Sequence, residues 1–269
     1  MRHEASSSHA DRLAQIVTSL GARDLAIVAT VSKLRLVTSL QLQRLHFTSG
    51  TPASNARQAR RAFQRLTDLR VLTRLERRIG GVRAGSAGHI YRLDVAGQHI
   101  AQTTQGRRRR PGEPGLPFVK HTLAIAELYV RLVEADRANK IELIEFDAEP
   151  GCWRPFFGPG GARLRLKPDA FVRTGRGEFE DLWFVEVDCA THGGTALATK
   201  FRTYRQYWAT EREQAKWGGV FPKVLWLVPS VPRLCQLLDV AAAQPPESWQ
   251  LFTVRLFDEA LLVMAGEAS

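Results

Sequence analysis

The stretch that most constrains this chain is Trp183-Phe184-Val185-Glu186-Val187-Asp188, an apolar and β-branched run that ends in acids. Such composition favours a strand, and a strand turns alternate side chains to opposite faces. Val185 and Val187 then point one way, and Glu186 and Asp188 point the other. Two carboxylates leaving one strand side by side are unfavourable unless positive charge sits between or beside them, and the usual solutions are a divalent metal or a lysine. Asp169, in Lys167-Pro168-Asp169, and Lys200 fall on the neighbouring predicted elements and are the candidates to complete the arrangement.

Charge divides the chain into two halves. Residues 1–120 carry 21 Lys and Arg against 7 Asp and Glu, and residues 121–269 carry 17 against 20, within an overall net charge of +11. A basic half of this kind points to a polyanionic partner, with double-stranded DNA ahead of an anionic membrane, because no amphipathic membrane signal accompanies it. No apolar run approaches the roughly 18 to 20 residues that span a bilayer, and the first ten residues lack the apolar core of a signal peptide. The expected location is the cytoplasm, in association with nucleoid or plasmid. Cys152, Cys189 and Cys235 are odd in number and lack metal-ligand spacing, so they read as reduced thiols.

In the basic half, residues 1–10 are polar and Ser-rich, and helix is expected only from about Ala10. Apolar residues recur at helical spacing from Asp24 to Leu34, and Ser39 to Phe47 offers a second short helix capped by Ser39. A third helix begins at Thr51-Pro52 and runs to about Leu69. On it Ala56, Ala59, Phe63 and Leu66 form the inward stripe, while Arg57, Arg61 and Arg65 follow at four-residue steps with Arg60 beside them. A strand over Leu72–Arg77, a glycine-rich tip from Gly80 to Gly88 and a returning strand over His89–Leu93 complete the order of a winged helix-turn-helix, and Val95 to Gln102 adds a short helix. In that fold the third helix enters the major groove and the hairpin reaches the flanking backbone or minor groove, where Arg77, Arg78 and Arg83 would contact DNA. The alternative for such an arginine row is a solvated helix face. The run from Gln105 to Gly115, with Arg107 to Arg110, reads as a linker. The domains are 10–104, a winged helix-turn-helix; 105–117, a basic Pro/Gly linker; and 118–265, an α/β domain.

Beyond the linker the pattern predicts a helix from His121 to Ala138, carrying Glu127, and a strand over Ile141–Phe146. Strands follow over Arg163–Val172 and Leu182–Asp188, then a helix over Gly193–Trp208 and a strand over Lys223–Val228. A helix over Pro232–Ala243 and a strand over Trp249–Phe257 close the chain. This α-β-β-β-α-β order, with acids on the second and third strands, resembles the PD-(D/E)xK restriction-endonuclease-like superfamily. A winged helix joined to Pro168-Asp169-Ala170, Glu186-Val187-Asp188 and Lys200-x-x-x-Tyr204 looks more narrowly like the replication-relaxation family of bacterial mobile elements. The resemblance covers Arg23 to Phe257. It implies Asp169 and Glu186 as ligands of Mg²⁺ or Mn²⁺, and places Asp188 where the motif lysine normally stands. Lys200 then reads as a lysine migrated to the next helix, and Glu127 fits an acid sometimes present on the first core helix.

Phosphodiester hydrolysis needs a nucleophilic water and relief of charge on the phosphate, and oxygen-ligated Mg²⁺ serves both. Lys200 would orient the water or stabilise the transition state, and Tyr204, one turn further on, would contact the substrate backbone. Thr191, His192 and Gly193-Gly194 would line the cleft. Two readings stay open. In one, the protein nicks or cleaves DNA in replication, relaxation or transfer of a mobile element. In the other, Lys200 pairs with Asp188, the acids form an ion-pair network, and the second domain forms a homodimer or binds replication or conjugation proteins without turnover.

Overall fold

A computed structural model of the protein describes residues 2–75, 88–102, 114–191 and 193–267, with side chains from Asp11 onward. Arg77, Arg78, Arg83, the Arg107–Arg110 run and His192 lie outside the described residues. The chain is a mixed α/β protein that divides into two compact units, Met1–Gly115 and Leu116–Ser269.

The first unit runs α1 (Arg2–Ser19), α2 (Ala22–Leu34), β1 (Val37–Thr38), α3 (Ser39–His46), α4 (Pro52–Asp68), β2 (Leu72–Arg74), β3 (Ile90–Leu93) and α5 (Val95–Gln102). Helix α1 starts eight residues before the expected point. The short strand β1, absent from the sequence reading, pairs antiparallel with β3, giving the sheet order β1-β3-β2. Its partner register explains why Thr38, rather than Ser39, caps α3. Gln41 N–H donates to the Thr38 hydroxyl at 3.1 Å, and Thr38 N–H donates to the Gln41 side chain at 3.0 Å. Helix α4 opens as the sequence predicts, with Pro52 in its first turn and the Thr51 hydroxyl accepting from Ser54 N–H at 3.2 Å. Its buried residues are Asn55, Ala59, Phe63 and Leu66. Asn55 takes the place expected for Ala56 because its amide closes on Gly50 through two 3.0 Å bonds. At the start of α5, Gly97 lies so close to β2 that an added Cβ would stand 2.1 Å from the Val71 carbonyl oxygen.

The second unit begins with α6 (Leu116–Arg137), inside the range expected as linker, with Pro117 in its first turn. It continues with β4 (Glu142–Ala148), β5 (Arg154–Phe157), β6 (Arg163–Leu166), β7 (Ala170–Arg176), β8 (Phe179–Val187), α7 (Gly194–Trp208) and α8 (Arg212–Lys216). The last elements are β9 (Lys223–Val228), α9 (Val231–Ala242), β10 (Phe252–Leu256) and α10 (Ala260–Met264). The main sheet has the order β10-β9-β8-β7-β4. Pairings of β7 with β4 and β8 are antiparallel, and those of β9 with β8 and β10 are parallel, with α7 and α9 as the crossovers.

The expected single strand Arg163–Val172 is two strands. Pro168 has no N–H to donate to a ladder, so β6 folds back on β5 as a separate ribbon and β7 starts afresh at Ala170. The closing strand is shorter than expected because Pro246 starts a 3₁₀ turn that lasts to Leu251. Register settles the faces of the sheet. Phe146, Val172 and Trp183 stand side by side, and Phe146 meets Tyr129 of α6 at 4.9 Å between ring centroids. Leu182, Phe184, Val224 and Trp226 pack with Phe201, Tyr204 and Tyr207 of α7 and Leu237 of α9. Among the described residues no single helix is long and apolar enough to cross a membrane.

Candidate functional site

Glu186 lies on the α7 side of β8, two residues beyond Phe184, and is 1% exposed. The parallel crossover starts α7 at Gly194, just past the end of β8, so Lys200 and Tyr204, one turn apart, come down over Glu186. Lys200 Nζ donates to Glu186 Oε2, and the Tyr204 hydroxyl donates to Glu186 Oε1 at 2.5 Å. Asp169 precedes β7 but is still docked on β8: its N–H donates to Val185 O at 3.0 Å, and its Oδ2 accepts from Val187 N–H at 2.7 Å. Asp169 Oδ1 then faces Lys200 Nζ at 3.9 Å and His121 Nε2, from the first turns of α6, at 3.2 Å. Asp169, Glu186, Lys200 and Tyr204 therefore converge as the spacing of the elements suggests.

Asp188 does not join them. It shares the face of Glu186, but Arg233 of α9 takes both its oxygens, Nε to Oδ2 at 2.5 Å and Nη2 to Oδ1 at 3.0 Å. The expected Lys200–Asp188 pairing is thus replaced by two separate ion pairs. Residues two apart on a strand stand roughly 6.7 Å apart along it, far enough for different helices to serve each. Glu127 is also displaced from the expected role. It accepts from Arg131 of its own helix at 3.3 Å, and its position six residues after His121 is about 240° further round α6. Tyr204 is fully buried, so its hydroxyl serves Glu186 and the expected contact with a substrate backbone is not available to it.

Three residues escaped the sequence reading. His121 carried no signal beyond opening a helical pattern, Arg233 none beyond standing near a helix start, and Cys189, read only as a reduced thiol, hydrogen-bonds to His121. The electrostatics follow from burial. Desolvation pushes Glu186 up to about 8 against the pull of Lys200, with Asp169 adding to the rise. Burial also acts to raise Asp169, but Lys200, His121 and the Val187 N–H together hold it below the ordinary carboxylate value. Burial pulls His121 down, yet its bonds to Asp169 and Cys189 carry it up to about 10, so it is an imidazolium at neutral pH. Lys200 is raised in the same way, desolvation being outweighed by Asp169 and Glu186. Two buried acids, Asp169 held ionised and Glu186 pushed up to about 8, thus face two cations. The Lys200 side chain is 32% exposed and that of Glu186 1%, so the lysine stem covers the two acids on the side nearer solvent while its ammonium is turned inward to them. Among the described residues there is no group of three or more His, Cys, Asp or Glu able to hold a metal ion.

On the first unit, α4 presents Arg57, Arg60 and Arg61 to solvent. Arg65 is committed instead, its guanidinium donating to Asp24 of α2 at 2.7 Å. Compared with known families, residues 28–224 match replication-relaxation. The chain belongs to the replication-relaxation family. Membership supports a role related to replication. The matched span takes in α4 and the Asp169–Glu186–Lys200 cluster and stops at the first residues of β9, before Arg233. No curated protein and no solved structure matches the chain.

Proposed function

We propose that this protein binds double-stranded DNA through α4 and hydrolyses a phosphodiester bond at Asp169, Glu186 and Lys200 in the replication or transfer of a mobile element. One observation carries the reading: an Asp, a Glu and a Lys from separate segments of the chain meet at one point, under a lysine side chain that is partly exposed. Two features support the wider assignment. The order α2-β1-α3-α4-β2-β3 with sheet order β1-β3-β2 fits a winged helix-turn-helix with α4 as the reading helix. The succession α6-β4-β7-β8-α7-β9, with β5–β6 as an insertion, fits a PD-(D/E)xK core.

The donor set suits Mg²⁺ or Mn²⁺. Asp169 Oδ1 and Glu186 Oε2 converge on a cation, the ammonium of Lys200, and hard divalent ions bind one or two protein carboxylates and complete their shell with water and phosphate. When bound, such an ion supplies Lewis acidity and a nucleophilic water at neutral pH. Tyr204 fixes Glu186 Oε1 and so aims Oε2, and the Val187 N–H and His121 do the same for Asp169. Lys200 offers its charge to the oxygens of an incoming phosphate. Arg233 ties the end of β8 to α9 through Asp188, which makes Asp188 a positioning residue.

A second reading has its own observation. Each of the three acids already has a cation, Lys200 or His121 for Asp169 and Glu186 and Arg233 for Asp188. A charge-balanced network of this kind suits an accessory factor that binds DNA and a protein partner, or a second copy, without turnover. Supercoiled plasmid incubated with Mg²⁺ or Mn²⁺ separates the two. Hydrolysis predicts nicked circles with wild type and none with Asp169→Ala or Glu186→Ala. Equal absence of nicking in all three, with a footprint retained on duplex DNA, leaves the accessory reading.

A further inference from the structure

The β5–β6 ribbon lies on the chain immediately before the acidic cluster, and neither duplex binding by α4 nor hydrolysis at Asp169 requires it. Its two faces differ completely. Inward, Phe156 and Leu166 enter the core, Arg154 pairs with buried Glu213 at 2.8 Å, and Cys152 Sγ donates to Pro168 O at 3.1 Å, so the ribbon is fixed to the body of its unit. Outward, the antiparallel register sets Phe157 opposite Arg163 and Pro155 opposite Arg165, and all four are exposed. Lys167 and Trp153 extend the same face, with Lys167 Nζ 5.0 Å and Arg165 Cζ 5.6 Å from the Trp153 ring centroid.

The charge of this face is out of keeping with its surroundings. Residues 151–168 hold four of the 17 Lys and Arg in residues 121–269 and none of the 20 Asp and Glu. Among the described residues no carboxylate pairs with Arg163, Arg165 or Lys167, although Asp169 stands two residues beyond Lys167. The three cations repeat every second residue, roughly 6.7 Å apart, and so form a row along the ribbon and not one point of charge. Alongside them the Phe157 side chain stands in solvent, its residue 65% exposed. A row of cations tracking a backbone, bordered by an exposed aromatic ring, is what binds single-stranded nucleic acid: the cations take phosphates and the ring stacks a base. A purely electrostatic contact with an anionic protein would use the charges and leave the ring without a function.

We infer that the outer face of the β5–β6 ribbon, Arg163, Arg165, Lys167 and Phe157, binds a single strand of DNA and leads it toward Asp169, two residues beyond Lys167. The inference rests on DNA being the protein's ligand, and it is independent of hydrolysis. The two units then divide the work: α4 holds duplex, and the ribbon holds a strand separated from it.

The test uses the full chain in EDTA, so that binding is read without cleavage, with a fluorescent single-stranded oligonucleotide and a duplex of the same sequence. The triple variant Arg163→Ala/Arg165→Ala/Lys167→Ala should lose single-strand affinity by about tenfold or more, and its log K against log salt should be shallower by about 2. Phe157→Ala should weaken the single strand about fivefold, one stacked base, and leave the salt slope unchanged. Both should bind duplex within about twofold of wild type, and Arg57→Ala/Arg61→Ala should give the opposite pattern. These side chains are exposed, and a matching circular dichroism spectrum checks that each variant folds. Wild type that holds duplex but no single strand overturns the ribbon inference alone, as does a triple variant that binds the single strand like wild type. Absence of binding to either DNA overturns both this inference and the DNA-binding function it rests on.

Discussion

Glu186 and Glu213 are both buried against α7 and are held in much the same way. Glu186 meets a lysine and the Tyr204 hydroxyl; Glu213 meets Arg154, the Tyr207 hydroxyl and the Trp217 indole N–H, each at 2.8 Å. Burial and a cationic partner therefore do not by themselves mark a site. The difference lies in what shares the cation. Arg154 serves one carboxylate, donates its remaining reach to Cys152 O, and stacks over Phe171 and Phe184. Lys200 is shared by Glu186 and Asp169, and Asp169 needs a second cation, His121. One cluster is closed and saturated. The other gathers two acids around one shared ammonium under a partly exposed lysine side chain, and two acids on one cation can exchange it for another.

The largest effect should come from breaking the closed cluster. Glu213→Ala leaves a guanidinium, a phenol and an indole N–H without their acceptor, and loss of one partner of a buried pair costs about 3–5 kcal/mol. Urea denaturation should show it, and Glu186→Ala should lose less, because Lys200 and His121 keep Asp169 between them. A Glu186→Ala loss equal to or above that of Glu213→Ala would make the Asp169 cluster as structural as its neighbour.

Next in size is removal of the shared cation. Lys200→Met removes the ammonium that Glu186 and Asp169 share and leaves a buried oxygen of Glu186 without its donor, so stability should fall by about 1–3 kcal/mol. Mg²⁺ should raise the thermal midpoint of this variant more than that of wild type, where the ammonium competes for the same oxygens. Equal responses, or none, would remove the argument that the two carboxylates converge on one cation point.

Much of the open cluster, and none of the closed one, is legible in the amino-acid sequence. Element order, the face shared by Phe184 and Glu186, and the one-turn spacing of Lys200 and Tyr204 all follow from helix and strand periodicity, which is local. What periodicity cannot show depends on contacts distant in sequence. Nothing near Asp188 announces Arg233, 45 residues on, and nothing near Asp169 announces His121, 48 residues earlier. The β5–β6 ribbon is hidden because apolar residues on both sides of Lys167-Pro168-Asp169 make Arg163–Val172 read as one strand, and the missing N–H of Pro168 divides it. Asn55 replaces Ala56 on the buried face of α4 because a loop closure at Gly50 satisfies its amide, and periodicity counts polar residues as outward.

The open cluster should also give stability a pH dependence. Glu186 is raised from 4.5 to about 8, so the folded chain holds a proton that the unfolded chain releases, and stability falls as pH rises from about 4.5 to 8. His121, raised from 6.5 to about 10, acts in the same direction across its own window: its contribution is complete below pH 6.5 and is lost toward pH 10. Urea midpoints taken from pH 5 to 10 should therefore decline. His121→Phe should flatten the decline above about pH 7 and leave the lower part in place, and an unchanged upper slope would remove His121 from the set of charges balancing Asp169.

The smallest effect is expected where a carboxylate has one half-exposed cation and other means of support. Arg65 donates to Asp24 at 2.7 Å, but its side chain is 46% exposed, and Asp24 also accepts from Gly21 N–H at 3.0 Å as part of the cap of α2. Solvent screens the pair and the backbone keeps Asp24 bonded, so Arg65→Ala should cost at most about 1 kcal/mol. The same commitment predicts a functional difference along α4. Arg57, Arg60 and Arg61 are exposed and can turn to phosphate or to a guanine edge, whereas Arg65 must first leave Asp24. Arg61→Ala should thus weaken duplex binding with no change in the urea midpoint, and Arg65→Ala should shift the midpoint slightly with a smaller loss of affinity. Equal losses of affinity would mean that Arg65 gives up Asp24 on meeting DNA, and that the α2–α4 ion pair opens in the complex.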